Sequence, residues 1–391
     1  MDPLRRKDWI AAEFNKCYGA QPTLWTRAPG RVDLMGSHTD YNDGFILTMT
    51  LDLDTWLAVR PRRDKTVRVH SLNLNASGEF SLAAIAFDPE NPWLNYVSGV
   101  AKILQDAGYT LCGFDGMLHS TIPIASGLSS SAALEMAVAR MFEHVGGFAV
   151  DKVALAKLTQ LAENTFVGVN CGILDQYTSA VGRAECALLL DARNLESSDV
   201  PIARGLHVVI CDTRAPRALS GTEYATRRSQ CEDGVRRIRS AGHAVAALRD
   251  ISPAQFPLYE SLLPEVTARR CRFIVEENTR VLELARALPA GDRGRLHALF
   301  AASYAGAREL YEICIPAMDT MIDAMRRAPG FIAGRQAGAG FGGCMVALVA
   351  EDKAESFIHF TQTRYQAATG IAPRIFAVSA TDGAGVLDFT N

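Results

Sequence analysis

The sequence carries no excess of either charge: forty lysines and arginines stand against forty-three aspartates and glutamates, a formal charge of −3. That balance lacks the basic surface of a nucleic-acid binder and any acidic tail, so electrostatics favours no macromolecular partner. No window approaches the roughly 18 consecutive apolar residues that a membrane-spanning helix needs. Residues 1–10 include basic side chains with no apolar run behind them, so no secretory signal is expected. The nine cysteines, from Cys17 to Cys344, are scattered singly without a C-x-x-C pair. Their odd number fits badly with a disulfide framework and points to a reducing, cytoplasmic compartment. There is no repeat of fixed period and no low-complexity tract, which removes solenoids and propellers.

What is present suits packed cores. At 391 residues with 48% apolar side chains, the chain can form two domains or one large one. Short alternating or β-branched segments predict strands at Trp56 to Arg60, Thr66 to Leu72, Gly116 to Ile122, Ala187 to Asp191, Leu206 to Cys211 and Met345 to Val349. Leu134, Val138, Met141 and Val145 form the stripe of an amphipathic helix between Ser131 and Val145. Further helices are predicted over Lys152 to Asn164, Glu223 to Arg239, Pro264 to Leu288, Arg295 to Tyr311 and Met318 to Arg327. The polar, turn-prone segment Asn194 to Pro201 predicts a boundary near residue 200, giving domains 1–200 and 201–391.

Three stretches carry chemistry. The first, Arg27 to Gly44, packs Arg31, Asp33, His38, Asp40 and Asn42 around glycines. A sugar needs several fixed donors and acceptors, because each hydroxyl desolvated without a partner costs on the order of 1–3 kcal/mol. A polar turn with side chains capping local backbone is the other reading of the same residues. The second, Pro123 to Ala133, is a Gly/Ser loop after a predicted strand and at the start of a predicted helix. Small residues there let backbone amides and the positive helix end approach a phosphate, and serine hydroxyls can serve Mg²⁺. A plain serine N-cap remains the alternative, although one serine suffices for that and Ser129, Ser130 and Ser131 are all present. The third, Gly334 to Cys344, contains the G-x-G-x-x-G spacing at Gly338, Gly340 and Gly343. A dinucleotide fold requires a helix after those glycines, whereas here a strand is predicted. It is read either as a tight turn or as a loop closing on nucleotide phosphates or substrate.

Together and in this order, the three stretches resemble the signature motifs of the GHMP small-molecule kinases, the first matching galactokinases most narrowly. Further landmarks stand between them: residues 93–96, Gly172 to Gln176, Glu223 to Arg228, Tyr311 to Pro316 and Asp382 to Gly385. The resemblance implies a two-domain α+β GHMP kinase fold with the active site between the domains, and an ATP-dependent sugar 1-kinase. It places Asp175 where galactokinases keep the carboxylate that takes the proton from the C1 hydroxyl, and Arg31 where they keep the arginine that orients it. It assigns the sugar to Arg31, Ser37, His38, Asp40, Gly172, Asp175 and Tyr224. It assigns ATP to Gly127, Leu128, Ser129, Ser130, Ser131 and Ala132, and Mg²⁺ to Ser131 and Glu163. The expected partners are a galactose-like monosaccharide and ATP, without nucleic acid or membrane, for a monomer or weak dimer.

The sequence departs from that pattern at Ser37, where galactokinases usually carry a glutamate for the sugar's C6 hydroxyl, and at Asp33, where they have asparagine. Arabinose and galacturonate kinases of the same family look similar here. Loss of the glutamate removes an acceptor for a 6-hydroxyl and a charge that repels a 6-carboxylate, so tolerance at C6 is expected to widen. Ala337 and Tyr304 are smaller departures that touch no assigned role.

Overall fold

The computed structural model describes residues 2–124, 126–216 and 220–389. In chain order, helix α1 (Pro3–Tyr18) precedes strands β1 (Leu24–Met35), β2 (Phe45–Pro61), β3 (Thr66–Ser71) and β4 (Ala76–Ser81). Helix α2 (Asn95–Asp106), strand β5 (Phe114–Ser120) and helices α3 (Ser130–Gly146), α4 (Lys152–Ala162) and α5 (Leu174–Val181) follow. Strands β6 (Cys186–Asp191), β7 (Glu196–Pro201) and β8 (Leu206–Asp212) lead to helices α6 (Ser220–Ser240), α7 (Pro257–Glu260), α8 (Glu265–Ala290), α9 (Arg293–Glu309) and α10 (Pro316–Arg326). The chain closes with β9 (Phe331–Gln336), β10 (Cys344–Ala350), α11 (Ala354–Thr369), β11 (Arg374–Val378) and β12 (Gly385–Val386). Every strand and helix expected from the sequence is present, with its ends shifted by at most a few residues, except that the strand expected at Trp56 to Arg60 begins eleven residues earlier, as β2 (Phe45–Pro61).

The elements form two compact units. Unit 1 comprises Met1–Arg31, Thr50–Gly182 and Thr381–Asn391, and unit 2 comprises Val32–Met49 and Arg183–Ala380. Within unit 1 the strands run β12-β1-β2-β5-β3-β4, with β3 parallel to β5 and β2 antiparallel to β5 in the register Thr55 to Ser120. Helix α1 is capped by Asp2, whose side chain accepts from the amides of Leu4 and Arg5, and it ends on left-handed Gly19. Its Ile10 and Phe14, one turn apart, pack on Trp25, Trp56 and Met117 of the sheet.

Helix α3 departs from the single stripe read in the sequence. Ala132, Ala133, Glu135, Met136, Ala137, Val138, Ala139, Met141 and Phe142 are all buried. Contacts with α2, α4 and α5 surround the helix, and its alanines permit that close packing from several sides.

Unit 2 holds an antiparallel sheet ordered β11-β8-β10-β9, while β6 pairs with the start of β2 and with β7. The sheet packs Val209, Cys211, Met345 and Ala347 against Met318, Met321 and Met325 of α10 and Phe357 and Tyr365 of α11. A second cluster joins α6 and α8 through Cys231, Ile238, Phe273 and Ile274, with Tyr311 and Phe341.

Candidate active site

The second stretch meets the start of the first through a backbone approach that only glycine allows. A Cβ on Gly30 would lie 2.6 Å from the carbonyl oxygen of Leu128, and the next amide, Arg31, donates to that same oxygen at 3.2 Å. Strand β1 thereby fixes the loop that precedes α3. Ala125, inside the second stretch, lies outside the described residues.

Arg31 then gathers the loop and α5. Its Nε and Nη2 donate to Asp175 Oδ1 at 2.8 and 2.6 Å, and its Nη1 donates to the Gly127 carbonyl at 2.8 Å. Asp175 sits in the first turn of α5, and its other oxygen accepts from Ser129 Oγ at 2.5 Å. Ser129 stands at the N-terminus of α3 with φ 58°, a strained value for a side-chain-bearing residue, and makes no side-chain cap. Its hydroxyl therefore serves Asp175, and the plain capping reading does not describe it. With no acidic residue in the first turn of α3, the free amides there keep their positive potential. Leu128 and Ala132 are buried, while Gly127 is exposed and Ser130 and Ser131 are half-buried.

Glu163 lies at the end of α4, where the expected helix widens into a π turn over Glu163–Val167. Its carboxylate accepts from Gln176 Nε2 at 2.6 Å and from Cys171 Sγ at 3.2 Å, and the Ser131 hydroxyl also bonds to it. Burial, then the charge of Asp175, pushes its pKa up against those hydrogen bonds. Ser131 and Glu163 thus come together as an all-oxygen pair. Among the described residues no cation pairs with that carboxylate, which is the chemistry a hard divalent cation satisfies. Gly172 lies in the loop that leads into α5, half-buried.

In unit 2 the rest of the first stretch meets the third. His38 adopts φ 66° and is buried; its Nδ1 pairs with Tyr41 Oη at 2.7 Å and its Nε2 with the Ala339 carbonyl at 2.9 Å. Because the carbonyl can only accept, Nε2 carries the proton and Tyr41 donates to Nδ1. Burial lowers the His38 pKa to about 4, so the ring is neutral. Both nitrogens are engaged, and the ring stacks near Tyr224 at 5.2 Å between centroids. Asp40 opens a short turn, Asp40–Asn42, half-buried.

Ser37 is buried and accepts from Arg335 Nη2 at 3.1 Å. Arg335, in β9, was quoted within the third stretch without a role. It is wholly inaccessible, donates to the Leu34 carbonyl and faces Glu277 Oε1 at 3.2 Å. The glycines at 338, 340, 342 and 343 all have positive φ and close the β9–β10 connection, where a Cβ on Gly340 would strike the Ile313 carbonyl at 2.6 Å. A strand on each side makes this a hairpin loop and not a dinucleotide fingerprint.

With this geometry in place, the comparisons with known proteins agree. Residues 12–61 match a galactokinase galactose-binding signature, residues 95–183 a GHMP kinase N-terminal domain and residues 284–366 a GHMP kinase C-terminal domain. The chain is 42% identical over 377 residues to a galactokinase of Chloroflexus aurantiacus, covering 96% of each, and 41% identical over 376 residues to one of Roseiflexus, again covering 96% of each. It superposes on the crystal structure of Lactococcus lactis galactokinase complexed with galactose with a TM-score of 0.92 at 32% identity, covering 97% of this chain and 99% of that one. A Methanococcus jannaschii mevalonate kinase, at 16% identity and TM-score 0.68, shares the fold.

Proposed function

This chain belongs to the galactokinase family of GHMP kinases, and we propose that it transfers the γ-phosphoryl group of ATP to the anomeric hydroxyl of D-galactose or a close analogue. The observation that carries the reading is the contact of Arg31, Asp175 and Ser129 at the N-terminus of α3. Amides and serines at residues 127–132 cradle the nucleotide phosphates against the positive helix end. Asp175 Oδ2, held by one hydroxyl, has a second lone pair for the C1 hydroxyl. As the sugar oxygen attacks the γ-phosphorus, its proton passes to Asp175 and the bond to the ADP oxygen breaks. Arg31 holds Asp175 in place and offsets negative charge on the moving phosphoryl group. Mg²⁺ held by Ser131 and Glu163 would neutralise the phosphates when bound.

On the sugar side we assign contacts to Ser37, Asp40, Gly172 and Tyr224. His38, with both nitrogens engaged, supports the loop and offers the sugar its ring edge. We read residues 1–200 as the half of the sequence that carries the sugar signature and phosphate loop, and 201–391 as the half that carries the third motif, although residues 32–49 and 183–200 of the first half pack within unit 2. The nine cysteines are all free, which supports a reducing compartment. Among the described residues no helix is long and apolar enough to cross a membrane. ADP release with a panel of sugars tests the activity: no turnover with any sugar, but measurable binding, would mark the protein as a sugar sensor instead.

The same panel reads position 37. Ser37 hydrogen-bonds Arg335 and leaves no carboxylate for a 6-hydroxyl. L-arabinose, D-fucose or D-galacturonate should therefore be used better, relative to D-galactose, by this enzyme than by its Ser37→Glu variant. We expect the variant's kcat/KM ratio to move toward galactose by roughly tenfold or more. Unchanged ratios would remove Ser37 as the C6 reader.

A further inference from the structure

Gln176 follows Asp175 in α5 and has no part in the mechanism above. Its side chain is wholly buried, and its amide nitrogen donates to Glu163 Oε2 at 2.6 Å and to Glu135 Oε2 at 3.0 Å. Charge sets that orientation, because a carbonyl in the same place would face two carboxyl groups. Among the described residues the amide oxygen has no hydrogen-bond partner, and neither does Glu135 Oε1. The side chain thus satisfies two buried carboxyl groups and leaves its own oxygen bare, and a buried acceptor without a partner calls for an explanation. Glu135 stands four residues after Ser131 on α3, so the helical face that presents Ser131 also backs Gln176.

We infer that Gln176 is a positioning residue for phosphoryl transfer: backed by Glu135, it clamps Glu163 and, as the neighbour of Asp175 in one helical turn, sets both carboxylates in a single register. The inference rests on the roles given above to Asp175 and Glu163. Glutamine suits the task because one NH₂ group serves two carboxyl groups without cancelling the negative charge that a cation must meet. Lysine would cancel that charge, and methionine would leave both acceptors bare.

The test uses the full-length enzyme with Gln176→Met, Glu135→Gln and, in parallel, Asp175→Asn. Steady-state kcat, the KM for sugar and the Mg²⁺ activation constant are measured, with circular dichroism as the check on folding. Outer partners of metal ligands are typically worth 10–100-fold in metal affinity or activity. Gln176→Met should accordingly raise the Mg²⁺ activation constant and lower kcat, each by about tenfold or more, while the sugar KM stays within about twofold. Glu135→Gln keeps an acceptor and should stay within about threefold of wild type on every constant. A merely structural role would lower stability and active fraction without moving the activation constant. Wild-type constants in Gln176→Met, with Asp175→Asn inactive, overturn the inference alone. An active Asp175→Asn overturns the reading of the site and the inference with it. Should Gln176→Met fail to fold, the isosteric Gln176→Glu substitutes for it. Its extra carboxylate should make its melting temperature rise with MgCl₂ more than that of wild type, and an equal response overturns the inference.

Discussion

Asparagine in place of Asp175 will lower kcat by at least about 10²-fold, the lower range for a positioned acid–base group, and leave ATP affinity little altered. The substitution keeps the side chain's shape, and its carbonyl can still accept from Arg31 Nε and Nη2 as Asp175 Oδ1 does. What changes is the second atom. Where Oδ2 now accepts from Ser129 Oγ at 2.5 Å, an amide nitrogen can only donate, so it can neither receive the sugar's proton nor carry charge. The phosphate loop is tied down separately, through the Arg31 contacts to Leu128 and Gly127, which the variant leaves intact. Single-turnover ADP formation measures the chemical step, and a nucleotide titration measures the binding. Turnover near the wild-type rate would strip Asp175 of its role.

The sequence was most readable where burial follows a simple period. Strand β3 alternates in that way and the expected helices at α4, α6, α8, α9 and α10 bury residues three and four apart, while β6, β8 and β10 show instead as short apolar runs. Strand β1 was hidden because its polar residues are inside the protein, where no alternation between core and solvent exists. Thr26 donates to the Ala137 carbonyl, Arg27 pairs with Asp54, and Arg31 pairs with Asp175, so a charged strand reads like a loop. Helix α11 buries Phe357, Thr361 and Tyr365, a stripe too narrow for a hydrophobic pattern to reveal. Helix α5 is only 8 residues long, below the length that periodicity can separate from a turn.

The site divides along the same line. Arg31, Asp175, Ser129, Ser131 and Glu163 were legible through motif order, and the structure brings them together. Arg335, Glu277, Gln176 and Glu135 were not, since a buried charged residue is recognised by its partners and those come from distant segments. Arg335 and Gln176 each stood inside a quoted motif, and their polarity in apolar surroundings was the available signal.

Glutamine in place of Glu277 is expected to cost unit 2 about 3–5 kcal/mol, the usual penalty for removing one partner of a buried ion pair. Glu277 is inaccessible and accepts from Arg280 Nε at 2.8 Å, Ser303 Oγ at 2.8 Å and the Gly36 amide at 3.2 Å, with Arg335 Nη2 also at 3.2 Å. The variant keeps the shape and one acceptor but takes from Arg335 its ion-pair partner, while Arg280 retains Glu276 Oε2 at 3.2 Å. A double variant, Glu277→Gln with Arg335→Met, should regain part of the loss, because one stranded charge is then gone. Burial alone would push the Glu277 carboxyl up, yet Arg280 and Arg335 outweigh it and hold the pKa below its ordinary 4.5. A group depressed in this way stabilises the fold above its unfolded value and loses that contribution as pH falls, so the variant should show a flatter stability profile below about pH 4.5. Trp9, Trp25, Trp56 and Trp93 all belong to unit 1, so urea unfolding is followed by far-ultraviolet circular dichroism, which reports on both units. A midpoint equal to that of wild type would mean that Arg335, and with it Ser37, is held in place by packing and not by charge.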